Sequence, residues 1–282
     1  MTAGRLVLCP TPLGNLDDIT ARALRALREC DFVVAEDTRV TGALLRHFSI
    51  DKPLRSFHER VRAAREREIR AALAAGKTVV LTSDAGMPGI SDPGSELVRL
   101  ARAAGAAVDA LPGPSAFVGA LVLSGFDISR FRFEGFPPRK RGERKAYLRA
   151  LRAERAAIVW YEAPTRVVGL LEDVERELPG RQVFALREYT KMFEHHALGT
   201  ASEVSVQIAR PPRGEFTIVL EGASSTVDAA AQREVSAGAR AALAELLAHG
   251  VSARDAASAI AIASGAPKNA LYRLAIDSAK KR

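Results

Sequence analysis

Residues 81–94, LTSDAGMPGISDPG, combine the side-chain types that a ligand-binding loop needs: two carboxylates, Asp84 and Asp92, among Gly86, Pro88, Gly89, Pro93 and Gly94. With no Cβ in the way, such glycines let backbone N–H and C=O groups come within hydrogen-bonding distance of a ligand. Three more segments share this polar, turn-forming character after an apolar run: LCPTPLGN (8–15), AEDTR (35–39) and LPGPSA (111–116). Loops at the carboxyl ends of strands are where α/β sheets bind ligands, so these segments are expected to converge on one edge. Gly76-Lys77-Thr78 imitates the end of a phosphate-binding loop, but Ala71 stands where its first glycine belongs and the helix precedes the strand instead of following it. It reads as a helix stop. No metal site is expected: His195 and His196 are adjacent in a strand and point to opposite faces, and His47, His58 and His249 are isolated.

Hydrophobic periodicity supplies the elements that position these loops. Strands are expected at 5–9, 32–35, 78–81 and 107–111, and helices at 19–30, 41–48, 62–75, 95–104 and 115–123. This alternation implies a largely parallel sheet. The pattern restarts with strands at 157–161, 182–187, 193–199 and 216–220, and helices at 166–177 and 201–208. From Asp228 to Ile276 the chain is alanine-rich and reads as about three helices, broken at Gly250 and near Gly265–Pro267. The expected fold class is therefore α/β with two α/β domains, 1–118 and 119–225, and a helical extension, 226–282.

The 282 residues carry a net charge of +8, concentrated in one stretch. Ten basic residues and three acidic ones lie between Arg130 and Arg155, interleaved with Phe131, Phe133, Phe136 and Tyr147. Basic groups neutralise phosphates and aromatic rings stack on unpaired bases, so RNA is a reasonable partner. A solvated helix face is the plainer alternative. Cys9 and Cys30 lack CxxC spacing and sit among apolar residues, which predicts reduced thiols in a cytoplasmic protein. No apolar run is long enough to span a bilayer, and the apolar start is too short for a signal peptide.

TPLGNLDDIT, AEDTR, SFHER, LTSDAGMPGISDPG, PGPSA, FEGFPPRK, YEAPTR, REYTK and GEFTIVLEG follow one another in an order that closely resembles the tetrapyrrole methylase superfamily, the class III methyltransferases that use S-adenosylmethionine. The likeness is strongest to the branch acting on small-subunit ribosomal RNA, whose C-terminal helical segment GAPKNALYRLAI (265–276) also resembles. That resemblance implies a cytoplasmic homodimer with the donor in the cleft between domains. It also implies methylation of a cytidine ribose 2′-oxygen in the decoding region of 16S rRNA. Carried over residue by residue, the donor would border Thr11, Pro12 and Gly14. The loop from Asp84 to Asp92, with Gly86, Ile90 and Ser91, would hold its amino-acid portion and ribose. Ser115 and Ala116 would touch it from the next strand end, and Tyr161, Glu162, Ala163, Glu215 and Thr217 would close the site near the adenine. The superfamily often has Gly-Asp-Pro where this chain has Ser83-Asp84-Ala85.

Methyl transfer to a hydroxyl needs alignment and removal of a proton. The polar candidates at strand ends are Glu36, Asp37, Arg39, Glu188 and Lys191, with Lys191 foremost as a base whose pKa burial lowers. Structural ion pairing across the domain interface is the alternative for Glu36, Arg39 and Glu188. Arg139, Lys140, Arg141 and Lys145 are expected to contact rRNA phosphates. Lys268, Asn269 and Tyr272 offer a second contact unless those helices only cover a core. Two competing functions stay open: a methylase acting on a small tetrapyrrole, and a non-catalytic nucleic-acid-binding protein with a C-terminal helix-turn-helix.

Overall fold

The computed structural model describes residues 4–91, 94–208, 210–223, 237–264, 266 and 268–279. These fall into two compact units, one reaching Leu151 and resuming over Ala156–Glu221, the other formed by Arg152–Arg155 and the residues from Gly222 onward.

In the first unit, β1 (Arg5–Cys9), β2 (Phe32–Ala35), β3 (Leu54–Ser56), β4 (Thr78–Thr82) and β5 (Ala107–Ala110) form a parallel sheet in the order β3-β2-β4-β1-β5. Its central strands have apolar middles because helices cover both faces. Leu6, Leu8, Val34, Val79 and Leu81 face Ile69 and Leu73 of α3 (Arg62–Ala74) and Leu97 and Leu100 of α4 (Ser95–Ala103). Val7, Cys9, Val33 and Val80 point the other way, onto Leu27 of α1 (Ala21–Glu29) and Leu45 of α2 (Thr38–His47). Burial pushes the Cys9 thiol up to about 12 and the Cys30 thiol up to about 11, so both stay protonated, and no disulfide joins them.

The second sheet contains β6 (Phe131–Phe133), β7 (Ala157–Glu162), β8 (Gln182–Arg187), β9 (His195–Thr200) and β10 (Phe216–Leu220), ordered β6-β7-β10-β8-β9. Only β6 and β7 run parallel; the other neighbours are antiparallel. On one face, Ala120 and Leu121 of α5 (Ala116–Ser124) pack against Val159, Phe184, Leu186 and Val219. The opposite face is covered by α6 (Arg141–Ala150), α7 (Pro164–Glu177) and α8 (Ala201–Gln207). There the fully buried Trp160 donates from Nε1 to Tyr147 Oη at 2.8 Å.

The basic segment is thus partly a helix, α6, whose arginines serve the fold. Arg144 donates to buried Asp173 of α7 at 2.6 and 3.0 Å, Arg141 reaches the same carboxylate, and Arg149 pairs with Glu177. Burial opposes the Asp173 charge, but the Arg144 and Arg141 guanidiniums outweigh it and hold its pKa below the ordinary value.

The second unit contains helices Ala237–Ala248, Ala253–Ser264 and Lys268–Ala279, packed around Ala239, Leu243, Ala256, Ala257, Ile260, Leu271 and Ala275. Small residues at the contacts let the helices approach closely, and Ser252 caps the second by accepting from Asp255 N–H at 3.2 Å. Lys268 and Tyr272 are exposed, while the Asn269 side chain lies outside the described residues. Among the described residues, no helix is long and apolar enough to cross a membrane.

Candidate active site

Four loops at the carboxyl ends of β1, β2, β4 and β5 meet beside the β7 and β10 ends of the second sheet. Thr11 and Gly86 exchange both backbone hydrogen bonds at 3.0 Å, which ties the β1 loop to the β4 loop. Gly86 has φ 78°, and a Cβ there would lie 2.9 Å from Leu13 Cδ2 and 3.2 Å from Pro114 O. Ser83 is buried; its Oγ donates to Gly86 O at 2.7 Å while its carbonyl accepts from Thr11 Oγ1 at 3.1 Å. That serine hydroxyl gives the Ser-Asp-Ala variant its own means of closing the turn. Asp84 accepts from the Asp37 backbone N–H at 3.1 Å, linking the β4 and β2 ends.

These loops and the second sheet enclose a cavity of about 490 Å³. Asp84, Gly86, Ile90, Ser91, Ser115, Ala116, Tyr161, Glu162, Ala163, Glu215 and Thr217, all expected at a donor site, line it. The second-sheet contribution follows from register: Phe216 pairs with Glu162 and Thr217 with Tyr161, so two strand ends present one wall. Pro12 and Gly14 are not in the lining; Pro12 is buried, and Gly14 sits against the Lys191 stem, where a Cβ would lie 2.2 Å from Cγ. Asp92 falls outside the described residues. Leu13 and Met87, which the sequence reading did not single out, also line the cavity, and so does Phe136, which it places among the RNA-stacking aromatics of the basic stretch. The signal for Phe136 was present in its motif FEGFPPRK: it is 54% exposed, and its ring lies 6.0 Å from that of Tyr161.

The catalytic candidates separate into two groups. Arg39 clamps Asp37 at 2.6 to 3.2 Å on one rim, and its hydrogen bonds lower the Asp37 pKa to about 2. Glu36, from the same strand end, lines the cavity. On the other side Lys191 Nζ donates to Glu188 Oε1 at 3.1 Å and Glu215 Oε2 at 2.9 Å. Partial burial pulls the Lys191 pKa down, but Glu215 and Glu188 outweigh it and the net displacement is upward. In place of the expected neutral lysine base, whose pKa burial lowers, the two carboxylates that face Lys191 favour its ammonium form. Burial likewise raises the Glu188 pKa, and the Glu215 backbone N–H and Lys191 more than reverse that.

Glu162 is the exception. Its carboxylate is buried, Oε1 accepts from Ala163 N–H at 2.9 Å, Arg166 lies 3.2 Å from Oε2, and Oε2 lacks a hydrogen-bond partner among the described residues. Burial raises its pKa despite the Ala163 N–H and Arg166. A raised carboxylate pKa favours folding at low pH, and this contribution is lost as pH rises through the folded-state value. Glu162→Gln is therefore expected to melt at a higher temperature than the parent at pH 7.5. The difference should close as pH falls below the ordinary glutamate value of 4.5; thermal unfolding at several pH values checks it.

Residues 5–205 match the family described as Tetrapyrrole (Corrin/Porphyrin) Methylases. This chain belongs to the tetrapyrrole methylase family. Residues 233–279 match the RsmI C-terminal HTH domain. Among relatives, Ribosomal RNA small subunit methyltransferase I of Thermotoga maritima is 46% identical over 220 residues, covering 78% of this chain and 99% of its own. The protein of the same name from Synechocystis sp. is 39% identical over 276 residues, covering 97% and 98%. In fold, this tetrapyrrole methylase is similar to the methyltransferase CobJ, with TM-score 0.58 and 21% identity over 79% of this chain and 95% of that one. Uroporphyrin-III-C-methyltransferase from Thermus thermophilus gives 0.54 and 19%, over 80% and 96%.

As a methylase of this family, the chain uses S-adenosylmethionine as its methyl donor. The cavity suits such a cation. Its volume lies within the roughly 300–1,000 Å³ of ordinary ligand sites. Acidic Glu36, Asp84, Glu162 and Glu215 complement a sulfonium and an ammonium, and Met87, Ile90 and Phe136 supply apolar walls for a base.

Proposed function

We propose that this chain methylates the ribose 2′-oxygen of a cytidine in the decoding region of small-subunit 16S rRNA, working in the cytoplasm as a homodimer. The observation that carries this reading is likeness along nearly the whole chain to a relative named for small-subunit rRNA methylation, 39% identical over 97% of these residues. When bound, S-adenosylmethionine supplies an electrophilic methyl group. Asp84 and Ser91 from the β4 loop, with Ser115 and Ala116, hold its polar portion in this proposal. Tyr161, Glu162, Ala163 and Thr217 bound the adenine, with Glu215 at the rim.

Lys191 stays protonated at neutral pH and acts on negative charge: it holds an acceptor phosphate or the developing alkoxide. Lys191→Ala is expected to slow single-turnover methylation by about a hundredfold or more, the usual scale for losing such a stabilising group, while donor affinity by calorimetry stays near the parent value. An unchanged rate would remove Lys191 from the mechanism.

Arg139, Lys140, Arg141 and Lys145 supply phosphate contacts. Lys140 pairs with Glu143 and Arg141 with Asp173, but their side chains are 83% and 56% exposed. Only the Lys140–Glu143 pair is exposed on both sides, and such a pair contributes about 0–1 kcal/mol and yields readily to a phosphate, whereas Arg141 would reach a phosphate from its place beside buried Asp173. Neutralising all four should flatten the salt dependence of rRNA binding by about one unit of slope per lost contact.

The proposal is tested by offering labelled donor together with either small ribosomal subunits or uroporphyrinogen. Label in rRNA supports it; label in the porphyrinogen, or no donor binding at all, overturns it.

A further inference from the structure

A second cavity, of about 410 Å³, adjoins the donor cavity and shares Leu13 and Ser115 with it. Its remaining lining includes Asp18, Thr20, Gly119, Tyr189 and Thr190. Three observations mark it as built for a ligand. Asp18 Oδ2 is buried and has no hydrogen-bond partner among the described residues. Tyr189 lies directly on helix α5, where a Cβ at Gly119 would stand 2.5 to 2.8 Å from its ring and hydroxyl. The residues on either side of it, Glu188 and Thr190, take φ values of 50° and 64°, an uncommon backbone region for non-glycine residues. Strain of this kind persists only where surrounding contacts enforce it. Here Asn15 N–H donates to Thr190 Oγ1 at 3.2 Å, Glu188 Oε1 accepts from Glu215 N–H at 2.8 Å, and the Lys191 stem presses on Gly14.

Resting on the rRNA-methylation reading, we propose that this cavity receives the acceptor nucleoside, turned out of the RNA, and selects a base that bears an exocyclic amino group. Tyr189 is the platform on which the base stacks, and the Asp18 carboxylate, part of the lining, accepts from the amine. An ionised carboxylate only accepts, so it pairs with the N4 amine of cytosine and repels the O4 carbonyl of uracil. Extrusion into a pocket with an aromatic surface is the usual way a polymer base reaches an enclosed site. With the donor in the first cavity, the methyl group passes at the shared Leu13–Ser115 wall, which places the ribose hydroxyl there and the base deeper, toward Asp18.

The test uses small subunits reconstituted with rRNA bearing either C or U at the methylated position, and reads kcat/KM. The parent enzyme is expected to prefer C by about tenfold to a hundredfold, the range for leaving a buried polar group unpaired. Asp18→Asn should lose most of that preference, Tyr189→Ala should raise KM, and Tyr189→Phe should retain activity. Calorimetric donor binding verifies that each variant is folded. Equal parent rates on C and U overturn the pocket assignment without any variant, and so does an Asp18→Asn variant that binds donor and keeps the parent C preference. A parent that methylates no subunit at all overturns the underlying reading as well, and that outcome is distinct from both.

Discussion

Asp173→Ala is expected to destabilise the first unit by about 3–5 kcal/mol, the scale for removing one partner of a buried ion pair. The Asp173 carboxylate is 0% exposed and the Arg144 side chain 8%, with contacts of 2.6 and 3.0 Å between them. Removing the acid leaves a buried guanidinium whose remaining hydrogen bond among the described residues goes to Gly169 O at 3.3 Å, and it strips Arg141 of the carboxylate it pairs with. The cost is the unpaired buried charge, more than the lost attraction itself. Asp109→Ala makes the control: it breaks an exposed pair with Arg5, with side chains 40% and 56% exposed, and should cost under about 1 kcal/mol. Urea unfolding of the two variants measures the contrast. Equal small losses would show that α6 does not depend on Asp173.

Gly86→Val is expected to abolish measurable donor binding. The left-handed backbone alone costs about 1–2 kcal/mol for a residue with a Cβ, roughly a tenfold loss of affinity if the bound state needs that conformation. Clashes add to this, because the new Cβ meets Leu13, which lines both cavities, and Pro114, which lines the second. Gly89→Ala separates strain from clash: its φ is 87°, but nothing lies within 4 Å of its Cβ position. Calorimetry with S-adenosylmethionine should show a modest loss for Gly89→Ala and none of the parent affinity for Gly86→Val. Parent-like binding by Gly86→Val would mean that the Thr11–Gly86 link does not shape the donor site.

The donor cavity was legible in the sequence because each of its loops follows a strand of buried apolar residues. Runs such as LVLC, FVVA and FTIVL have few alternatives to a covered strand. Two of the four edge strands were not legible. Leu54–Ser56 and Phe131–Phe133 are three-residue strands with an arginine in the middle, and they form because Val33 and Val159 offer them a ladder. Helix α2 begins at Thr38, earlier than the apolar period suggests, because Asp37 caps it by accepting from Arg39 N–H at 2.8 Å. Reading AEDTR for chemistry alone hid that cap.

Long-range partners explain the remaining differences. Nothing near Arg144 announces that Asp173, in the next helix, will bury it. Lys191 sees Glu188 in its own motif, but the charge that fixes its protonation also comes from Glu215, one strand away. The mixed second sheet was likewise hidden, since strand direction depends on where β10 inserts between β7 and β8.

The most direct test of the whole account is mass-spectrometric mapping of rRNA after incubating the purified chain with S-adenosylmethionine and small ribosomal subunits that lack the modification. The account predicts a single new 2′-O-methylcytidine in the decoding region, absent when the donor is omitted. A methyl group on a base, methylation elsewhere in the rRNA, or no methylation by protein that binds the donor would contradict it.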